Sequence, residues 1–112
     1  MKILIIEDNI LWSERLKKTL LAFKHEPILL SSAKADLGSF PKAKVAIVNL
    51  SMDPSLLSSV IPRLKEQGTY ILAHAGHKEK EKLSFGQELG CHQIVTNGTL
   101  TYKIDQILTA VK

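Results

Sequence analysis

The chain has 112 residues, of which 45% are hydrophobic and 23% charged, with a formal net charge of +4 at pH 7. That length suits one domain burying roughly two-thirds of its unfolded surface, and the composition is that of an ordinary soluble globular protein. No apolar run approaches the roughly 20 residues of a membrane helix, and no basic stripe or aromatic platform is present, so neither a membrane span nor a nucleic-acid interface is expected.

The run Ile3-Leu4-Ile5-Ile6 predicts a first strand over Lys2–Ile6 that ends in an acidic pair, Glu7-Asp8. A strand this near the first residue leaves no room for a signal peptide, so a cytoplasmic protein is expected. A helix is predicted over Asn9–Lys24, with Trp12, Leu16, Leu20 and Phe23 on one face and Asp8 or Asn9 as N-cap. Trp12 reads as a half-buried packing residue. Pro27–Leu30 forms a second strand, and Ala33–Phe40 a short helix bounded by Gly38 and Pro41. The third strand, Lys44–Asn49, ends on an amide.

Proline in a helix interior loses a backbone bond and clashes with the preceding turn. Ser58 or Ser59 therefore reads as the cap of a helix over Val60–Gln67, with Pro62 in its first turn and Gly68 closing it. Met52–Leu57 is then irregular, and Asp53 a surface loop residue. A fourth strand over Thr69–His74 leads to a charged helix, Lys78–Leu89, where Lys78, Lys80 and Lys82 alternate with Glu79 and Glu81 before Gly90 stops it. Cys91, the single cysteine, excludes an intramolecular disulfide and fits a reducing compartment. The fifth strand is Gln93–Thr96. Asn97-Gly98 reads as a deamidation-prone turn with glycine at positive φ, before a last helix over Thr99–Val111 that buries Ile104, Ile107, Leu108 and Val111.

Strands alternating with helices predict an α/β fold, an open doubly wound parallel sheet with five strands and five helices, as a single domain over residues 1–112. Sites in such sheets form outside the carboxyl ends of the strands, which here carry Glu7, Asp8, Asn49, His74 and Asn97. A third acid at position 49 would complete a magnesium site able to attack a phosphoryl group. A neutral amide there is a very poor nucleophile, and two carboxylates hold magnesium weakly. Amides at 49 and 97 can instead donate hydrogen bonds to Glu7 or Asp8 and satisfy the site without metal. His74, His77 and Cys91-His92 match no zinc-ligand spacing and read as exposed loop residues.

The segments Lys2-Ile3-Leu4-Ile5-Ile6-Glu7-Asp8-Asn9, Ile71-Leu72-Ala73-His74-Ala75 and Gly90-Cys91-His92-Gln93-Ile94-Val95-Thr96-Asn97, with the strand ending at 49, carry a resemblance. Over its whole length the chain resembles the receiver domain of two-component response regulators. The resemblance implies a flavodoxin-like strand order, 2-1-3-4-5. It also implies that Glu7 and Asp8 retain the family's metal-binding pair, as a vestigial, weak site. Asn49 stands at the phospho-accepting aspartate, His74 at the switch hydroxyl, Asn97 at the phosphoryl-pairing lysine, Gly98 at the proline after it, and Ile94 at the aromatic switch. Together these departures define a pseudo-receiver with a single conformation and a buried Ile94.

The expected function is therefore a phosphorylation-independent protein-interaction module of bacterial phosphorelay signalling, not an enzyme, with no cofactor beyond weak magnesium. Its partner would be a histidine kinase or another signalling protein, and its state a monomer or weak dimer. The resemblance implies docking through the fourth helix, fifth strand and fifth helix, with Lys82, Gln87, Cys91, Gln93, Tyr102 and Gln106 as candidate contacts. Tyr102 is the favoured anchor, because tyrosine is enriched at interface hot spots. The alternatives are an atypical working receiver, binding magnesium at Glu7 and Asp8 and accepting phosphate elsewhere, such as at Asp53, and a regulatory fragment of a longer chain.

Overall fold

Short aliphatic runs with both faces apolar can only be buried between two layers of helices, and the chain arranges them so. The computed structural model describes residues 1–36 and 40–111. Its elements are β1 (Lys2–Ile6), α1 (Ile10–Ala22), β2 (Glu26–Leu30), α2 (Ser32–Asp36), β3 (Val45–Asn49), α3 (Pro54–Glu66), β4 (Tyr70–Ala75), α4 (Lys80–Glu88), β5 (Gln93–Thr96) and α5 (Asn97–Ala110). The five strands are parallel in the order β2-β1-β3-β4-β5, as expected. Pro27 lies in edge strand β2, where a missing donor is tolerated. Among the described residues no helix is long and apolar enough to cross a membrane.

Side chains alternate across a strand, so each strand feeds two cores. Leu4, Ile6, Ala46, Val48, Ile71 and Ala73 pack with Leu57, Val60, Ile61 and Leu64 of α3, and Leu83 and Phe85 of α4 close the edge of that core. Ile3, Ile5, Val45, Ile47 and Leu72 meet Leu16 and Leu20 of α1 and Leu100, Ile104, Ile107 and Leu108 of α5 on the other face. Register follows directly: Ile6 lies beside Val48, and Asn49 beside His74, so the polar strand ends share one edge.

Several expectations are corrected. Among the described residues only four helices run to nine residues or more, and α2 is a short helix of five residues; the remainder of the expected Ala33–Phe40 helix falls partly on residues 37–39, outside the described residues. The helix placed at Val60–Gln67 begins instead at Pro54, with Asp53 as N-cap accepting the Ser55 N–H at 2.8 Å and Pro54 in the first turn. Proline in the first turn is pre-organised for a helix, and that start outweighs the local defect of Pro62, which lies inside α3 on its exposed side. Phe23 caps the end of α1 and is 44% exposed, while Ser13 takes the inward position. Val111 is half-buried beyond α5. Gly98 is no positive-φ turn: Thr96 caps α5 by accepting the Thr99 N–H, so Asn97 and Gly98 are its first residues. Gly68 and Gly90, at φ +82° and +78°, do close α3 and α4.

The corrected start of α3 is testable. Asp53→Ala should lower unfolding free energy by about 1 kcal/mol through loss of the cap. Ser58→Ala should leave it within about 0.5 kcal/mol. Chemical denaturation of both variants measures this, and the reverse ranking would return the helix start to Ser58.

Candidate functional site

Three strand ends meet at the carboxyl edge of the sheet. Glu7, the residue after β1, is only 7% exposed, and a buried carboxylate needs donors. It has four contacts: Oε2 accepts the backbone N–H of Asp8 at 3.1 Å and of Asn9 at 3.2 Å, and Asn49 Nδ2 lies 2.8 Å from Oε1 and 3.1 Å from Oε2. The Asn49 carbonyl accepts the Ser51 N–H at 2.9 Å. Those neighbours fix the amide's orientation, since turning it over would set oxygen against carboxylate and N–H against N–H.

The acidic pair is split. Asp8 is exposed and turns away, its Oδ1 accepting the Ser32 N–H at 2.7 Å where α2 begins. Asn9, not Asp8, caps α1, accepting the Trp12 N–H at 3.2 Å. Magnesium requires several hard oxygens in octahedral array. Here one carboxylate is occupied by an amide and two backbone donors, the other is turned to α2, and the third oxygen is neutral. These residues do not fit the ion.

Beside this cluster lies a second one. His74, at the end of β4, is 1% exposed, which corrects the expectation of an exposed loop histidine. Its Nδ1 stands 2.7 Å from Asn97 Oδ1, so the neutral ring donates and Asn97 accepts. Asn97 is therefore engaged with His74 and makes no bond to Glu7 or Asp8. The His74 ring also faces the Trp12 indole, centroids 5.5 Å apart at 45°, while the Arg15 guanidinium lies 5.8 Å from the indole centre. Burial holds His74 below the usual histidine range, and the bond to Asn97 and the charge of Glu7 oppose that shift less strongly.

The other sequence candidates disperse. His77 is exposed, and His92 accepts the Ile71 N–H at 2.9 Å and stacks on Tyr70. Tyr102 is 87% exposed, and Gln87 and Gln106 are exposed too. Lys82 is tied to Glu79 and to the Ser51 hydroxyl, and Gln93 accepts the Tyr70 O–H at 3.0 Å. Cys91 is half-buried against the α3-side core, its thiol pushed up to about 11 by burial. Ile94 is half-buried rather than buried. Gly86 lets α4 approach it: a Cβ there would lie 2.8 Å from Leu50 Cδ1 and 3.2 Å from Ile94 Cδ1. A glycine inside a helix pattern was the sequence signal for that contact.

The sequence matches no family model and no curated protein. Solved structures share the fold. Chemotaxis protein CheY4 of Vibrio cholerae is 18% identical at a TM-score of 0.78, over 99% of this chain and 98% of that one. A two-component response regulator of Clostridium difficile gives 16% and 0.74, over 98% and 97%. The CheY-like protein TadZ of Pseudomonas aeruginosa gives 11% and 0.75, over 100% and 99%. The fold is that of CheY-like receiver domains, and at these identities the likeness carries the fold alone.

Two expectations follow from the site. A histidine whose folded pKa is lowered stabilises fully above its ordinary value near 6.5, and that contribution is lost as pH falls through 6.5 toward the folded value. Unfolding free energy should thus decline below that pH in the native chain, and His74→Gln should remove part of the slope; identical slopes would place the titration elsewhere, such as at His25. Asn49→Asp should replace two donors to Glu7 with a like charge, destabilising by about 3 kcal/mol. Millimolar magnesium should restore part of that loss in the variant and none in the parent, by thermal melts with and without chelator.

Proposed function

We propose that the chain is a receiver-like interaction module of two-component signalling that works without phosphorylation. The observation that carries this reading is the Asn49 amide donating to Glu7 where an acceptor carboxylate and a cation would otherwise sit. Phosphoryl transfer to a receiver needs an anionic nucleophile and charge neutralisation by metal. In this chain the position is a neutral amide, and its N–H groups hydrogen-bond the Glu7 carboxylate where a cation would otherwise stand. Asn97 and His74 satisfy each other in the same way. On this reading the module is not an enzyme, uses no cofactor, and acts in the cytoplasm.

Its partner would be a signalling protein such as a histidine kinase, bound by the resting fold. The face of α4, β5 and α5 offers Tyr102 as anchor, with Gln87 and Gln106 near neutral around it. Lys82, Gln93 and Cys91 are engaged with Ser51, Tyr70 and the α3-side core and would contribute little to a partner.

Incubation with acetyl phosphate and magnesium, followed by intact mass, tests the reading. The mass should not change. Capture of partners from native lysate should give the same set at the same yield with and without phosphodonor, and Tyr102→Ala should weaken capture by tenfold or more, about 1.4 kcal/mol. Gain of one phosphoryl group that is lost at alkaline pH would overturn the proposal in favour of a working receiver using another carboxylate.

A further inference from the structure

The outer face of α1 is apolar at both ends and charged in the middle. Leu11 is 82% exposed, Ile10 75% and Leu21 54%, and Glu14, Lys18 and Ala22 are exposed as well. Leu11, Glu14, Lys18 and Leu21 are spaced i, i+3, i+7 and i+10, which at about 100° per residue puts them in one stripe. Leu16 and Leu20 occupy the opposite, buried side. Arg15 leaves the stripe to lie over Trp12. Among the described residues neither Glu14 nor Lys18 has an ion-pair partner within 4.0 Å, although they stand i, i+4.

That order of residues is complementary to itself when reversed. In a two-fold contact residue i meets residue j, and j meets i. Laying a second α1 antiparallel with its centre at Leu16 puts Leu11 against Leu21, Glu14 against Lys18, Lys18 against Glu14, and Ile10 against Ala22. Within the stripe apolar meets apolar and opposite charges meet; Arg15 and Lys17, level with each other about the same centre, lie outside it on its two flanks. No other centre pairs both charges and both leucines. We infer that the outer face of α1 is a self-association surface whose occupant is a second copy of this chain, packed antiparallel about Leu16. The inference is independent of the proposed signalling role and leaves the Tyr102 face open. A single helix pair makes a small interface, so the association is weak, with Kd on the order of 100 µM.

Sedimentation velocity from roughly 10 µM to 1 mM tests it. The native chain should move from monomer toward dimer over that range. Leu11→Asp should weaken association by tenfold or more. E14K and K18E alone should each weaken it by about tenfold, since both turn two attractive pairs into repulsive ones. The double variant E14K/K18E should recover the native behaviour, and an equal mixture of the two single variants should form a heterodimer. Circular dichroism and thermal melts verify that each surface variant remains folded. A native chain that stays monomeric throughout overturns the proposal, and so does a double variant no better than either single. Tight binding of α1 only by a different protein would likewise reassign the face.

Discussion

One buried carboxylate organises this molecule. Glu7 follows β1, an inner strand flanked by β2 and β3, and a charge held there must be met by donors or expelled. The backbone supplies two N–H groups where the chain turns into α1, and Asn49 supplies the rest. This arrangement fixes the entry to α1 through Asn9 and the exit of β3 through Ser51. Strand ends that would repel one another as three acids are instead joined by hydrogen bonds.

The His74 cluster is the neutral counterpart. The His74 imidazole fills the space between α1 and the start of α5, with Trp12 on one side and Asn97 on the other. Both clusters are completed by asparagine, which donates and accepts at once and so can satisfy either sign of neighbour. Asn49 donates to an acid, whereas Asn97 accepts from a histidine. Among the described residues no buried side-chain nitrogen or oxygen lacks a partner. On the proposed reading, a site closed in this way would give no ligand a differential interaction with two states, which is what a switch requires.

The sheet was legible because apolar runs of four to six residues leave few alternatives. Its order came from the family resemblance and not from periodicity. The edge carrying Glu7, Asp8, Asn49, His74 and Asn97 was also legible, since strand ends in a doubly wound sheet converge. Pairings within that edge were not. Asn97 follows β5, which pairs with β4, so it lies beside His74, with β4 and β3 between it and the end of β1 that leads to Glu7. The helix α3 was misplaced because the rule against interior proline was given more weight than the Asp53-Pro54 start. An exposed Pro62 loses one bond, while a capped start gains a whole turn. The burial of His74 escaped notice because a polar residue ending a strand reads as solvent-facing until α1 covers it.

The placement of Trp12 gives the molecule a built-in optical gauge. It is the sole tryptophan of the chain, and its indole lies against a buried imidazole. A charged imidazolium at that distance quenches indole emission, whereas a neutral ring does so far less. Intrinsic fluorescence therefore reads out the charge on one residue at the heart of the site, without a label and without disturbing the surface on which any other molecule would sit.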